Sequence, residues 1–453
     1  MTTRRPSILS ERANDPAAVT AEPGRTSALT RLPLRLGILS FSAPGHVYPL
    51  AALGRALKAR GHQVTFFQVA DLGAQVRASG VEFCPIGAED FPPGTMRRED
   101  DILGRLKGMA GMRFSIERVA RSSRAILRDA PAAIRARGLD ALVVDQAEYA
   151  GGAVAEHLGL PFVNAIVTLP FNLDPSVPVF CYPWVTTRNG LDRLRNQLGN
   201  AFFEWLGQPV FAVVNRQRRA WGLAPVRKLN EFFSPLAQIS QLPAALELPG
   251  RRVPPHFHYT GPWTDGEGRA PVDFPWERLD PARLLVYASM GTLQNGILRA
   301  FRMIAEACAG LDLQLVISLG RGQDPAILGE LPGDPIVVGY APQLELVRRA
   351  SLTISHAGVN TVLESLSEGV PVVVLPVTND HPGMAARVMT ARVGQSIPIG
   401  AVTVPRLRQA IDTVLGNPSY CARARYLQAV IAAGGGAGHA AEVIETALLA
   451  SRR

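Results

Sequence analysis

The chain has 453 residues, of which 47% are hydrophobic and 19% are charged. This balance supplies enough apolar side chains for a large core, so it excludes an intrinsically disordered protein. The length predicts two or three domains. The formal net charge is +9, and 44 of the 47 basic residues are arginine. Such a charge favours anionic substrates or membranes without selecting between them.

The polar N-terminus and the spacing of the cysteines indicate a cytoplasmic protein. No apolar run reaches the roughly 18–20 residues of a membrane-spanning helix, and residues 1–30 lack the apolar stretch of a signal peptide. We expect a disordered tail over residues 1–30. The four cysteines lie far apart and form no Cys-x-x-Cys pair, which argues against a zinc knot or a disulfide framework.

Short apolar runs alternate with helical patterns from residue 34 onward, which is typical of a parallel α/β fold. The elements predicted in the first half are strand 34–40, helix 47–60, strand 62–68, strand 141–144 and strand 161–167. Residues 170–248 are rich in proline, aromatics and arginine instead, and we expect loops and helices there. Four aromatic residues of this region either line a pocket for a flat apolar molecule or pack helices together: Phe202, Phe203, Trp205 and Phe211.

The segment 263–275 carries glycines and prolines among charged residues, and it is the predicted linker. Beyond it the alternation resumes, with predicted strands 284–288, 314–318, 336–338, 352–355 and 371–377 and helices 298–309 and 360–368. We therefore predict two doubly wound domains that face each other across a cleft. Their predicted limits are 31–262 for the N-terminal domain, 276–435 for the C-terminal domain and 436–453 for a final helix.

At one point in the second half, a predicted strand turns directly into a helix. Gly358 lets the backbone turn tightly, and Asn360 and Thr361 place amide and hydroxyl donors at the helix start. A helix N-terminus attracts anions, and His356 adds a further donor. Glu364 lies one turn deeper on the face of Asn360, where a carboxylate can accept two hydrogen bonds from a diol such as ribose. A capped structural turn explains each residue alone, but the combination favours an anion site.

Two further loops carry polar groups at the ends of predicted strands. The small-residue turn 289–292, with Gly291 and Thr292, is a second phosphate-binding candidate. In the third loop, Asp380 and His381 either hydrogen-bond the hydroxyl groups of a sugar or cap the following helix.

The first half offers a histidine and a carboxylate at one sheet edge. The loop after the first strand contains one glycine rather than three, so a dinucleotide cofactor is disfavoured. His46 stands at that strand-to-helix turn, and Asp145 ends the strand 141–144. A lone histidine there is more often a helix cap. A carboxylate beside imidazole, however, orients the ring and stabilises the imidazolium, which favours a catalytic pair.

Several ordered motifs of the second half resemble the donor-binding signature of family 1 UDP-dependent glycosyltransferases. They are Gly-Tyr-Ala-Pro-Gln at 339–343, His-Ala-Gly-Val-Asn-Thr at 356–361, Leu-Glu-Ser at 363–365 and Asp380. The overall plan of the chain resembles that of the family over about residues 34–450. The stretch 287–295 is similar to bacterial zeaxanthin (carotenoid) glucosyltransferases. The resemblance implies the GT-B fold, in which two Rossmann-like domains face each other and the second holds the nucleotide sugar.

The resemblance also implies roles for the matched residues. Tyr340 would stack on uracil, Ala341 and Gln343 would line the base and ribose, and Glu364 would hold the ribose hydroxyls. The diphosphate would be held by His356, Asn360, Thr361, Gly291 and Thr292. Asp380 would hold the sugar, and His381 stands where the family commonly has glutamine, which leaves galactose as an alternative to glucose. His46 would be the general base and Asp145 its partner.

The implied reaction is displacement at the anomeric carbon with inversion, from a UDP-sugar to an apolar hydroxylated acceptor such as a carotenoid. No Asp-x-Asp motif follows a predicted strand, so we expect no catalytic metal and no other cofactor. Alternatives are a macrolide, phenolic or sterol acceptor, a non-catalytic helper of transferase-like fold, and a nucleotide-sugar epimerase or hydrolase.

The segment 113–137 contains seven arginines, several of them on one helical face. Such a helix either docks on an anionic membrane, which would suit a lipid-soluble acceptor, or is a solvated face. The charge is not interleaved with stacking aromatics, so we expect no nucleic-acid binding.

Overall fold

A computed structural model describes residues 33–106, 108–184, 189–267, 269, 271–291, 298–320 and 323–451. The tail predicted over residues 1–30 therefore lies outside the described residues, as do Thr292 and Gly268. The described chain from Leu34 onward forms two parallel sheets flanked by helices, and each pairing of strands in these sheets is parallel. The predicted α/β class is confirmed.

The first sheet has seven strands with intervening helices. The strands are β1 Arg35–Leu39, β2 Gln63–Gln68, β3 Glu82–Pro85, β4 Ala141–Asp145, β5 Phe162–Ile166, β6 Gln238–Ser240 and β7 Phe257–Tyr259. The helices are α1 Pro44–Ala59, α2 Gly73–Ala78, α3 Thr95–Leu103, α4 Gly108–Arg137, α5 Gly151–Leu158, α6 Gly190–Leu206 and α7 Gln208–Ala220. The spatial order β3-β2-β1-β4-β5-β6-β7 reverses direction between β1 and β4. The loops after these two strands therefore border a crevice at the carboxyl edge.

The second sheet has six strands in the order β10-β9-β8-β11-β12-β13. They are β8 Leu284–Ser289, β9 Leu313–Ser318, β10 Ile336–Val338, β11 Leu352–Ser355, β12 Val372–Val374 and β13 Gly394–Ser396. The helices are α8 Leu298–Cys308, α9 Gln343–Arg349, α10 Val359–Ser367, α11 His381–Ala391, α12 Val404–Gly416, α13 Pro418–Ala433 and α14 Gly436–Ala450. The strand order of this sheet reverses between β8 and β11. The loops after these two strands therefore border a crevice at the carboxyl edge of the second sheet, as in the first.

Local sequence explains why the site loops lie where they do. All five residues of β4 are buried, as expected for a central strand covered by helices on both faces. Helix α1 begins with Pro44, whose ring fixes the backbone angle that a first helical turn needs. Arg60 follows its end, and Gly61 then turns the chain at φ +95°.

The predicted strands are present, with small shifts of their ends. The strand predicted over 371–377 is shorter, since β12 covers only Val372–Val374, and Pro371 and Pro376 on either side lack the N–H that a ladder requires. Four short strands escaped prediction: β3, β6, β7 and β13.

The last helix returns to the first domain. Ile444 and Leu448 of α14 share an apolar cluster with Leu53 and Leu57 of α1, and Arg60 donates a hydrogen bond to Glu445. The domain limits predicted at 262/263, 275/276 and 435/436 stay predictions. The stretch between the sheets is not uniformly exposed, however, because Trp263 is fully buried.

Candidate active site

His46 and Asp145 meet at the carboxyl edge of the first sheet. His46 stands in the first turn of α1, and Asp145 is the last residue of β4, which pairs with β1. The Nδ1 atom of His46 lies 2.7 Å from the Oδ2 atom of Asp145. The structure thus brings together the two residues that the sequence analysis paired.

Asp145 is buried, and several donors besides the histidine hold it. Its Oδ2 atom accepts hydrogen bonds from the N–H of Phe41 at 3.2 Å and the hydroxyl of Ser40 at 3.3 Å. Its Oδ1 atom accepts from the N–H of Ala147 at 3.0 Å. A carboxylate in this position selects the His46 tautomer with its proton on Nδ1. Nε2 is then the ring atom that can take a proton.

His356 is buried after β11, and two glycines leave room for its ring. A Cβ atom on Gly358 would lie 2.5 Å from Nε2 of His356, and one on Gly291 would lie 2.4 Å from its Cε1 atom. Gly291 also has φ +73°, a conformation that glycine adopts without strain. Burial lowers the pKa of His356 to about 4. The ring is therefore neutral near pH 7 and offers a hydrogen bond rather than a charge.

A cavity between the two sheets, which we call the polar cavity, is bordered by His356 and by the N-terminus of α10. Gly358 is its N-cap and has no side chain to cover the first N–H groups, which suits a bound anion. Thr361 also borders the cavity. The side chain of Asn360 is engaged elsewhere: its Nδ2 atom donates to the carbonyl of Gly45 at 2.7 Å, and its Oδ1 atom accepts from Gln241 at 2.7 Å. Asn360 thus ties the predicted diphosphate loop to the residue before His46.

Glu364 is buried in the wall of the polar cavity, and both of its oxygens are hydrogen-bonded. Oε2 accepts from Nε2 of Gln343 at 2.6 Å, and the hydroxyl of Tyr287 lies 3.0 Å from Oε1 of Gln343. Oε1 accepts from the guanidinium of Arg269, which belongs to the predicted linker. Sequence reasoning missed Arg269, because one arginine among 44 carries no distinguishing signal.

Two tyrosines border the part of this cavity near Glu364. Tyr340 follows β10 beside Ala341, while Tyr48 comes from α1 of the other domain. The Cζ atom of Arg269 lies 5.3 Å from the centre of the Tyr48 ring. The predicted nucleoside pocket therefore has an aromatic wall from each domain, and only Tyr340 was predicted.

Asp380 and His381 lie at the start of α11, next to His356. The His356 and His381 rings make an edge-to-face contact with centres 4.6 Å apart. The N–H of Thr378 donates to Nδ1 of His381 at 3.4 Å, so Nε2 is left as the donor. Burial, and then the nearby His356, hold the pKa of His381 well below its usual range. Burial raises the pKa of Asp380 to about 6.

A second, apolar cavity adjoins the polar one. Its walls come from α4, from the segment after β5, and from α6 and α7, and they include Ile116, Val119, Phe171, Phe180, Phe203 and Phe211. Four residues border both cavities: His46, Thr168, Asp380 and His381. His46, which Asp145 holds from behind, therefore stands where the two cavities meet.

The four aromatics left open by the sequence divide into two pairs. Phe203 and Phe211 line the apolar cavity, which agrees with a pocket. Phe202 and Trp205 are exposed and lie on the other side of α6. The pocket interpretation was correct for one pair only, because successive helical positions face different directions.

The arginines of α4, which the sequence assigned either to a membrane-docking face or to a solvated one, are largely paired with carboxylates. Arg121 contacts Glu99, and Arg128 lies 2.7 Å from both Asp90 and Asp129. Arg124 lies 3.8 Å from Asp90 as well. Pairing lowers the free positive charge of this face, and the apolar side of α4 lines the cavity. Within the described ranges, no three His, Cys, Asp or Glu side chains form a group that could hold a metal ion.

Comparisons with known proteins identify the family. Residues 237–431 match the family described as UDP-glucoronosyl and UDP-glucosyl transferase, and residues 43–171 match the glycosyltransferase family 28 N-terminal domain. The chain is 32% identical to a zeaxanthin glucosyltransferase of Pantoea ananas over 404 residues, covering 88% of this chain and 93% of that protein. The chain belongs to the UDP-glucoronosyl and UDP-glucosyl transferase family.

A second relative and a solved structure agree with this family and with its fold. The chain is 32% identical to a zeaxanthin glucosyltransferase of Pseudescherichia vulneris, covering 90% of this chain and 96% of that protein. The solved structure of the glycosyltransferase of kitacinnamycin superimposes with a TM-score of 0.72 at 24% identity, covering 92% of this chain and 99% of that one. The predicted GT-B fold is confirmed. No helix of the described chain combines the length and apolar character needed to cross a bilayer.

Proposed function

We propose that this glycosyltransferase moves a hexose, glucose as first choice, from a UDP-sugar to a hydroxyl group of an apolar acceptor of the carotenoid class. The observation that carries the proposal is the meeting of a polar and an apolar cavity at His46, Asp380 and His381. The polar cavity offers a helix N-terminus for a diphosphate and a carboxylate for a diol. The similarity to proteins named zeaxanthin glucosyltransferase supports the acceptor class.

In the proposed reaction, His46 activates the acceptor. Nε2 takes the hydroxyl proton as the acceptor oxygen attacks the anomeric carbon, while Asp145 stabilises the imidazolium through Nδ1. The bond between that carbon and the UDP oxygen breaks, and UDP leaves with the electron pair. Acceptor and nucleotide reach the sugar from different cavities, which favours inversion at the carbon.

The proposed departure of UDP relies on fixed dipoles rather than a metal ion. The free N–H groups at the start of α10 and the neutral ring of His356 are arranged before the reaction begins, so no reorganisation is needed as charge develops. On this proposal, activity persists in EDTA and is not raised by Mg²⁺. A rise on adding Mg²⁺ would contradict this part of the proposal.

The acceptor and donor are tested together with the purified full chain. UDP-glucose, UDP-galactose and dTDP-glucose are each combined with zeaxanthin, a macrolide, a phenolic and a sterol, and β-carotene serves as the matched acceptor without hydroxyl groups. We expect zeaxanthin glucoside from UDP-glucose, with a β linkage by NMR. Turnover of the UDP-sugar without an acceptor would indicate an epimerase or hydrolase. No turnover with any pair would indicate a non-catalytic helper.

A further inference from the structure

Helix α6 presents an exposed row of large apolar side chains. This row, which we call the α6 stripe, consists of Leu191, Leu194, Leu198, Phe202 and Trp205, and these residues are 42–76% exposed. Their sequence spacing places them on one face of the helix. Single exposed apolar residues are ordinary on a protein surface, but five along one helix indicate an interaction surface.

The other side of α6 belongs to the apolar cavity. Phe203 and Glu204 line that cavity, and Asn196 and Gly199 are buried. One helix therefore separates the proposed acceptor site from the α6 stripe.

The chain segment that carries the α6 stripe has a net positive charge. Residues 189–228 contain seven basic residues and two acidic ones. Arg195 pairs with Asp192, and Arg218 pairs with Glu156. Exposed arginines remain on α6 and α7: Arg193, Arg216 and Arg219. Apolar residues next to exposed cations suit the boundary between the headgroups and acyl chains of an anionic bilayer.

We propose that the α6 stripe docks on an anionic lipid bilayer and that apolar acceptors enter the cavity from that bilayer. The identity of the acceptor rests on the proposed function, whereas docking does not. Trp205 stacks near Phe202, with ring centres 5.7 Å apart, and such aromatic residues favour membrane interfaces. A stable protein interface covers roughly 800 Å² on each partner, whereas the α6 stripe is a single narrow row of five side chains. This difference favours lipid over a second copy of the chain.

Vesicle binding tests the docking without any use of activity. The full chain is sedimented with vesicles of phosphatidylcholine containing phosphatidylglycerol, and with phosphatidylcholine alone. We expect binding to the anionic vesicles that falls at least tenfold in the double variant Leu194→Gln/Leu198→Gln and weakens with salt. Lipids carrying a bromine quencher should quench tryptophan fluorescence less in Trp205→Phe. The matched control is Ile327→Gln/Tyr426→Gln, which changes two exposed apolar residues of the other domain and should bind as wild type does.

The outcomes separate docking from its alternatives. A second stripe variant, Leu191→Gln/Leu198→Gln, guards against a folding defect, and melting temperatures are compared throughout. Wild-type binding that both stripe variants retain, or no wild-type binding, would overturn the proposal. Self-association in sedimentation velocity that the variants abolish would instead assign the α6 stripe to a second copy. If the wild type docks and the stripe variants do not, the variants should lose activity on a vesicle-embedded acceptor but keep it on a water-soluble phenolic, provided that the proposed transferase function holds.

Discussion

The guanidinium of Arg269 donates a hydrogen bond to Oε1 of Glu364, so the segment between the two sheets is bonded to the carboxylate predicted to hold ribose. The other oxygen, Oε2, accepts from Gln343 at 2.6 Å. Each carboxylate oxygen therefore already has a donor from the protein. Ribose hydroxyls must share or replace these hydrogen bonds in order to bind.

We predict that Arg269→Ala tightens the binding of UDP by about 1 kcal/mol, roughly fivefold. The substitution removes a competitor for Oε1 and leaves a buried acceptor that ribose can satisfy. Calorimetry with UDP measures the change, and Arg269→Lys, which keeps the charge, should show a smaller gain. Weaker binding in Arg269→Ala would show that the guanidinium contacts the nucleotide itself.

Glu364→Ala should weaken UDP binding by about 1–3 kcal/mol, because the ribose hydroxyls lose a charged acceptor. The effect of Arg269→Ala should vanish in this background, since the two residues act on one contact. Glu345→Ala, on the exposed side of α9, is the matched control. Equal affinities of Glu364→Ala and wild type would place the carboxylate outside the nucleotide site.

His46→Ala should lower kcat at least about a hundredfold while UDP affinity stays near wild type, because the ring serves the acceptor proton. Asp145→Asn should also lower kcat, because the uncharged amide lacks the negative charge that stabilises the His46 imidazolium. Steady-state kinetics and calorimetry separate the two effects. A parallel loss of UDP affinity would mean that His46 is structural.

His381→Gln should shift donor use from UDP-galactose towards UDP-glucose with little change in UDP affinity. In this structure Nδ1 of His381 accepts from Thr378, so the ring offers the sugar only an N–H donor. Glutamine offers an acceptor as well, and an unpaired buried group costs about 1–3 kcal/mol. Competition between the two donors measures the ratio, and an unchanged ratio would limit His381 to starting α11.

The affinity for UDP-glucose should depend on pH through Asp380. Burial raises the pKa of this carboxyl to about 6. Sugar hydroxyls donate hydrogen bonds to the ionised carboxylate. The affinity for UDP-glucose should therefore reach its maximum above about pH 7 and fall about tenfold per pH unit below the pKa. Asp380→Asn should bind more weakly with no such slope. A wild-type profile that is flat between pH 5 and pH 8 would contradict the contact.

The two sheets and most of the polar cavity were predictable because their signals are local. Strand runs, the turn at Gly358 and the strand-ending Asp145 each depend on a few adjacent residues. Asp145 and His46 could be paired since a parallel sheet brings strand ends to one edge.

The parts that escaped prediction depend on contacts distant in sequence. Arg269 and Tyr48 join the predicted nucleoside pocket only through the approach of the two domains. The hydrogen bond from the amide of Asn360 to the carbonyl of Gly45 across the cleft was not predicted either. The division of Phe202 from Phe203 required the orientation of α6. Strands β6 and β7 are three residues long and contain polar residues, so they form no continuous apolar run.

The return of α14 to the first domain affects the order of folding during synthesis. Ile444 and Leu448 complete an apolar cluster that begins with Leu34, the first residue of the compact body. A ribosome makes that helix after the second sheet, so the first domain cannot close its core as soon as its own sheet has emerged. N-terminal domains generally fold first, as independent units. Here the nascent first domain keeps an uncovered apolar face until the second domain has been made.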